Sequence, residues 1–188
     1  MASAPREGTN QTVEEAPGAW HPWPGNPLDQ YLIAEKTLAR AVALVHGSVP
    51  GRCRETRERM MISIEQLRNR ESAIALVGLG YVGLPLAVAL SRHFRVIGFD
   101  VSDKRVQELA SGRDRTGEVE DALLQDCSVE FTSDPAMLSQ AGVIVVAVPT
   151  PIDQHRRPDL LPVKQASATV GKHLSRGSAV VFESTVYP

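Results

Sequence analysis

The sequence is poor in cysteine, aromatic residues and net charge, and each shortage argues against a class of protein. Only two of its 188 residues are cysteines, Cys53 and Cys127, and their distant, unlike contexts favour reduced thiols over a disulfide framework. The formal net charge of -2 offers no general attraction to nucleic acid or acidic membranes. Metal-ligand spacings are lacking, and residues 1–18 have no apolar signal-peptide core. We therefore expect a cytoplasmic protein.

The composition changes along the chain and predicts three regions. Residues 1–27 are rich in proline, glycine, alanine and polar residues and are predicted to be disordered. Residues 28–70 contain two stretches with apolar residues at helical spacing, which predict an N-terminal helical extension. Its second stretch, residues 52–70, interleaves basic with acidic residues, which favours a solvated helix over a nucleic-acid patch. Residues 71–188 form the third region.

In this third region, short apolar runs alternate with helical patterns. The runs predict strands at residues 73–77, 95–99, 129–132, 143–148 and 178–182. This alternation predicts an α/β fold, a doubly wound parallel sheet of Rossmann type with the usual strand order 3-2-1-4-5. Ligands of such sheets bind outside the carboxyl ends of the strands. The apolar run at residues 73–90 is long enough for a membrane span, but its three glycines and Pro85 argue against one.

A glycine fingerprint after the first predicted strand indicates a dinucleotide site. Gly78 permits a tight turn into a helix, Gly80 lets a pyrophosphate approach the backbone, and Gly83 lets the helix pack near the sheet. Asp100, at the end of the second strand, can accept hydrogen bonds from ribose hydroxyls, which favours NAD over NADP. Lys104 and Arg105 lie close enough to leave that preference open. The predicted cofactor loop comprises Gly78, Leu79, Gly80, Tyr81, Val82 and Gly83.

Two further strand ends carry polar clusters that we expect at the same edge of the sheet. The fifth strand runs into a segment that contains Ser184 and Thr185. In the cluster after the fourth strand, prolines on both sides of a threonine hold its hydroxyl in a defined orientation, which suits the positioning of a nicotinamide or ribose. An ordinary turn or cap is the alternative for each cluster. The cluster after the fourth strand comprises Val148, Pro149, Thr150 and Pro151.

Taken in order, these four motifs resemble the N-terminal, NAD-binding domain of the UDP-glucose/GDP-mannose dehydrogenases over residues 72–188. The resemblance implies two successive NAD-dependent oxidations, which convert the C6 alcohol of a nucleotide sugar to a carboxylate for polysaccharide biosynthesis. An aldehyde and a thioester on a catalytic cysteine are the implied intermediates. Residues 112–119 and the Tyr-Pro ending are most similar to the branch that oxidises UDP-N-acetylhexosamines.

The same resemblance implies a role for each motif. The glycine loop would hold the pyrophosphate, and Asp100 with Arg105 would hold the adenosine ribose region. Thr150, Ser184 and Thr185 would lie on the nicotinamide side, where Thr185 would also help to orient the catalytic water.

In this family the catalytic cysteine, lysine, asparagine and glutamate follow the segment that matches residues 183–188, where the sequence stops. We therefore expect a chain truncated before the central helix and substrate domain, which binds NAD without completing catalysis. Neither Cys53 nor Cys127 stands in a matching context. One hypothesis is the cofactor half of a nucleotide-sugar 6-dehydrogenase, which acts with a missing C-terminal half or as a homo-oligomer. The other is a stand-alone regulatory NAD-binding module. A hydroxy-acid dehydrogenase fits the ending less well.

Overall fold

The computed structural model describes residues 62–151 and 158–183. Residues 1–27, predicted to be disordered, and most of the predicted helical extension lie outside these ranges. So do Cys53, Ser184 and Thr185. The predictions for these residues stay predictions.

Strands and helices alternate along the described residues. None of the described helices combines the length and the apolar character that a membrane crossing requires. The strands are β1 (Ala73–Val77), β2 (Val96–Phe99), β3 (Val129–Thr132), β4 (Ala141–Val146) and β5 (Ala179–Phe182). The helices are α1 (Ile64–Arg68), α2 (Gly83–Ser91), α3 (Asp103–Ala110), α4 (Asp121–Asp126) and α5 (Leu161–His173), with a 3-10 helix at Pro135–Gln140.

The predicted strands agree with the observed strands except at some ends. β1 and β3 have the predicted bounds, and β2 and β5 each begin one residue later than predicted. The prediction of residues 143–148 for the fourth strand is wrong by two residues at each end. β4 begins at Ala141, which pairs with Ala73 across a register irregularity. It ends before Pro149 and Pro151, which have no N–H to donate to a ladder.

The five strands form one parallel sheet in the order β3-β2-β1-β4-β5, as predicted. Its register places Val77 opposite both Phe99 and Val146. Phe99 in turn lies opposite Thr132, and Val146 lies opposite Phe182. All five strands therefore end in one row, and the segments that follow them leave the sheet at the same edge.

Alternate residues of the central strands fill a core on each face of the sheet, which confirms the doubly wound architecture. Ile74 and Leu76 of β1 belong to one buried cluster, together with apolar residues of α1, α2, α3 and α4. Ala75 and Val77 belong to the other cluster, with residues of the 3-10 helix and α5. All residues of β1, β2 and β4 are buried, as expected for parallel strands covered on both faces.

The described residues before β1 pack into the same core. Ser63 and Gln66 form a capping box, in which the Ser63 hydroxyl accepts from the Gln66 N–H at 3.2 Å and the Gln66 side chain accepts from the Ser63 N–H at 3.0 Å. Because Ser63 is extended, the prediction of one helix over residues 52–70 is wrong: α1 begins after it. Leu67 is fully buried among residues of the first core, and Ile62 packs against them.

Within the described residues, β5 is an edge of the sheet, since it pairs with β4 alone. Val180 and Phe182 point to one face of β5 and remain 36% and 46% exposed. Unpaired edges with apolar side chains favour association with other chains.

Candidate functional site

The loop between β1 and α2 is fixed by two glycines. Gly78 has a φ of +94°, a conformation that side chains disfavour, and a Cβ there would lie 3.0 Å from the Ala147 carbonyl oxygen. A Cβ on Gly83 would collide with the Gly78 carbonyl oxygen. The start of α2 therefore approaches the end of β1 more closely than a side chain would permit.

The middle glycine of the loop faces open space. A Cβ on Gly80 would have no neighbouring heavy atom within 4 Å, in contrast to Gly78 and Gly83. Val82 is the N-cap residue of α2, and no side chain of the described residues caps this helix end. The positive end of the helix dipole and its N–H groups can thus receive an anion beside Gly80. These features fit a dinucleotide pyrophosphate.

The Asp100 carboxylate connects the end of β2 to the glycine loop. Its Oδ2 accepts from the Leu79 N–H at 2.9 Å, and its Oδ1 accepts from the Ser102 N–H at 2.9 Å. Because each carboxylate oxygen has two acceptor sites, both can still accept a hydroxyl hydrogen bond. Asp100 is half-buried, so solvent or a ligand can reach it. This geometry suits the ribose role predicted for it.

The described parts of the predicted site lie together at the row of strand ends, as expected. Val148 lies beside the glycine loop, since its Cγ1 is 3.1 Å from the position of a Cβ on Gly78. Pro149 and Pro151 are exposed, and Thr150 is half-buried. One hydrogen bond past the ends of β1, β2, β4 and β5 continues the pairing: Gly78 N–H to Phe99 O at 2.9 Å, Asp100 N–H to Thr132 O at 3.1 Å, Ala147 N–H to Val77 O at 2.8 Å and Glu183 N–H to Val146 O at 2.9 Å.

Two exposed side chains with apolar surface belong to the glycine loop or follow Asp100 in sequence. Tyr81, within the loop, is 67% exposed, and Val101, directly after Asp100, is 83% exposed. Apolar side chains beside a few well-placed polar groups are typical of small-molecule sites. Val101 was not among the predicted site residues, although its position after the acidic strand end could have indicated it.

Arg105 lies behind the glycine loop, in the interior. It is only 6% exposed, and its Nε donates to the Leu79 carbonyl oxygen at 3.1 Å. Its Nη1 donates to Asp114 at 2.8 Å and to Glu108 at 3.1 Å, and its Nη2 donates to the Thr116 hydroxyl at 3.2 Å. Its charge is therefore balanced by two carboxylates, and its donors are directed at protein atoms.

Asp114 is the most heavily hydrogen-bonded carboxylate of this cluster. Burial alone would raise the pKa of Asp114, but hydrogen bonds from Thr116, Arg105 and the backbone outweigh it and lower the pKa to about 2. Oδ1 accepts from the Arg105 guanidinium and from the hydroxyl and N–H of Thr116. Oδ2 accepts from the N–H groups of Glu118 and Val119 at 2.8 and 3.1 Å. Asp114 therefore stays ionised throughout the neutral range.

With this geometry established, comparison with known proteins identifies the family. The sequence model of the UDP-glucose/GDP-mannose dehydrogenase family, NAD binding domain, matches residues 72–188. The chain belongs to this family. The matched part is the NAD-binding domain, which confirms the resemblance drawn from the motifs and the cofactor predicted from them.

Individual members of the family agree. The chain is 52% identical over 115 residues to Protein CapL of Staphylococcus aureus, covering 61% of this chain and 27% of that protein. It is 48% identical over 120 residues to the UDP-N-acetyl-D-glucosamine 6-dehydrogenase of Pseudomonas aeruginosa, covering 63% of this chain and 28% of that protein. The chain thus spans under a third of the length of these curated relatives.

Solved structures of the family share the fold. A UDP-D-ManNAc dehydrogenase from Pyrococcus horikoshii superposes with a TM-score of 0.57 at 29% identity, over 62% of this chain and 29% of that chain. A GDP-mannose dehydrogenase from Pseudomonas aeruginosa superposes with a TM-score of 0.55 at 31% identity, over 61% of this chain and 29% of that chain.

Within this family domain, Arg105 and residues 112–119 have contacts that the sequence did not indicate. The assignment of Arg105 to the adenosine ribose stays a prediction, because the guanidinium lies behind the loop and contacts Leu79 instead of facing outward. The sequence analysis missed Asp114 and Thr116 as its partners, and treated their segment only as a marker of one branch. The i,i+3 spacing of Arg105 and Glu108 was the available indication of an ion pair.

Proposed function

We propose that this chain binds NAD at the glycine loop as the cofactor half of a nucleotide-sugar 6-dehydrogenase. One observation carries the proposal: the Asp100 carboxylate accepts a hydrogen bond from the Leu79 N–H, next to Gly80, where a side chain would extend into open space. An acidic acceptor for ribose hydroxyls and an uncovered helix N-terminus for phosphate are thus adjacent.

The residues of the predicted site would each contribute a binding or orienting function. NAD supplies the hydride acceptor of the family's oxidations. Asp100 would accept from the adenosine ribose, and the N–H groups around Gly80 would hold the pyrophosphate. Thr150, with Ser184 and Thr185, would lie on the nicotinamide side, and Thr185 would orient a water molecule. The positions of Ser184 and Thr185 rest on sequence resemblance.

The same contacts support NAD over NADP. A 2′-phosphate beside Asp100 would meet a carboxylate, and the guanidinium of Arg105, five residues on, is already paired with Asp114 and Glu108. Like charges in proximity are unfavourable unless a cation intervenes. Arg105 is therefore poorly placed to compensate a 2′-phosphate.

For the substrate, we propose a UDP-N-acetylhexosamine, oxidised at C6 in the cytoplasm for polysaccharide biosynthesis. Two relatives, 48% and 46% identical, are UDP-N-acetyl-D-glucosamine 6-dehydrogenases, which supports this branch. These 188 residues alone would bind NAD without turnover, because the resemblance places the catalytic cysteine beyond the segment that matches residues 183–188.

The cofactor proposal is tested by calorimetric titration of the purified chain with NAD and with NADP. We expect saturable NAD binding, weaker NADP binding, and a loss of about tenfold or more in NAD affinity for Asp100→Asn, since hydrogen bonds to charged groups contribute about 1.5–3 kcal/mol. Asp103→Asn is the matched control, because Asp103 is exposed in the first turn of α3 and should leave affinity unchanged. Equal affinities for all three proteins would contradict the proposal.

The catalytic part is tested separately by following NADH formation with UDP-N-acetylglucosamine. We expect none from these 188 residues alone, and formation once a polypeptide matching the remainder of the family enzyme is added. Turnover by the chain alone would refute the expected need for downstream residues. NAD binding without turnover in either mixture would favour the regulatory module instead.

A further inference from the structure

We propose that Asp114 is a positioning residue for the cofactor pyrophosphate, acting through Arg105 on the Leu79–Gly80 peptide. The inference rests on the proposed NAD binding at this loop. It assigns a function to residues 112–119, which contribute the Asp114 and Thr116 contacts but lie apart from the glycine loop in sequence.

The backbone of Leu79 is hydrogen-bonded on both sides. Its N–H donates to Asp100 and its carbonyl oxygen accepts from the Arg105 Nε at 3.1 Å, so both polar groups of this residue are fixed by charged side chains. Hydrogen bonds to ionised groups are shorter and stronger than those between neutral groups. The backbone at Leu79 is therefore held from two sides.

The contacts of Leu79 also set the direction of the Gly80 N–H. In a trans peptide the carbonyl and the next N–H point in opposite directions, and the described chain contains no cis peptide bond. With the Leu79 carbonyl directed inward to Arg105, the Gly80 N–H is directed the opposite way. A glycine loop without this restraint could rotate the peptide, since glycine permits many backbone conformations.

Arg105 is itself restrained by Asp114 and Thr116. The Asp114 side chain is fully buried and contacts Nη1 at 2.8 Å, while Thr116 bridges Asp114 and Nη2 through its hydroxyl. The N–H groups of Glu118 and Val119 hold the second oxygen of Asp114. Asp114 thereby joins the loop of residues 112–119 to the guanidinium and fixes its orientation.

Losing this restraint should weaken binding without removing any contact to the cofactor. If the Gly80 N–H keeps the competent direction only a tenth of the time, the apparent affinity falls about tenfold. We therefore expect Asp114→Asn to reduce NAD affinity by about tenfold. Thr116→Val, a milder change at an exposed residue, should reduce it by about threefold because it removes one contact to Arg105 and one to Asp114.

Asp121→Asn is the matched control. The Asp121 Oδ1 accepts from the Asp114 N–H at 3.1 Å, so it supports the same loop without touching Arg105. A general loosening of the loop would weaken NAD binding in both aspartate variants, whereas the proposed route affects only Asp114→Asn. Circular dichroism melts of all variants identify any that fail to fold. If Asp114→Asn fails to fold, Thr116→Val provides the test.

A second readout separates positioning from a merely structural role. Pyrophosphate-containing ADP and pyrophosphate-free adenosine are titrated into the same proteins, and only ADP binding should weaken in Asp114→Asn. Equal weakening for both ligands, or unchanged NAD affinity in folded Asp114→Asn and Thr116→Val, would overturn the inference and leave the proposed function intact. Absence of NAD binding in the unaltered chain would overturn both.

Discussion

A single added methyl group should have different effects at Gly80 and Gly83, two glycines three residues apart. At Gly83 it would collide with the backbone carbonyl of Gly78, which cannot move away as the end of a flexible side chain can. At Gly80 it would enter open space, and the φ of this residue lies outside the left-handed region. Gly83→Ala should therefore damage the fold, and Gly80→Ala should damage only the site.

The magnitudes follow from these surroundings. Forcing a methyl group into a packed contact costs about 1–3 kcal/mol, so Gly83→Ala should lower the free energy of unfolding by that amount. Gly80→Ala should change it by less than about 1 kcal/mol, or raise it slightly, because alanine restricts the unfolded chain. Its methyl group would occupy the space assigned to the pyrophosphate, so NAD affinity should fall by at least about tenfold, or 1.4 kcal/mol.

Urea denaturation followed by circular dichroism measures the first effect, and calorimetric titration with NAD measures the second. Each variant serves as the control for the other. Equal stability of Gly83→Ala and the unaltered chain would refute the close approach of α2 to β1. Unchanged NAD affinity in a stable Gly80→Ala variant would refute the placement of the pyrophosphate beside this residue.

Three further predictions concern stability. Leu67→Ala should lower the free energy of unfolding by about 2–5 kcal/mol in urea, since Leu67 is fully buried; a loss under 1 kcal/mol would contradict its place in the core. The depressed pKa of Asp114, about 2, contributes about 2 kcal/mol to the free energy of unfolding, which is present above pH ~4 and lost as the pH falls towards 2. The urea midpoint should therefore decrease over this acid range, and it should decrease less in Asp114→Asn. The half-exposed Arg95–Glu130 ion pair should show a coupling of at most about 1 kcal/mol in a double-mutant cycle, decreasing with added salt.

Much of the fold was predictable because its determinants are local in sequence. Apolar runs bounded by polar or turn residues located all five strands, and the order followed from general rules for parallel sheets. The positions of Gly78, Gly83 and Asp100 agree with the geometric roles predicted for them. Each role depends on a tight turn, a close approach or a strand end, which a short motif specifies.

Contacts between distant segments could not be predicted in this way. The bonds from Arg105 to Leu79 and Asp114 span 26 and 9 residues of sequence, and no periodicity marks them. The beginning of α1 was missed for a different reason. Charged residues at helical spacing continue across Ser63, whose capping box with Gln66 sets the first turn.

Described residues that precede the family match pack into the core of the domain. The family match starts at residue 72, yet Ile62 fits against β4 where Gly142 offers no side chain: a Cβ there would lie 2.5 Å from its Cγ1. Leu67 is fully buried as well, so two residues that precede the recognised domain contribute to its interior. Trimming to the homologous region would expose that interior to water, so homology alone is a poor guide to where such a domain can be cut.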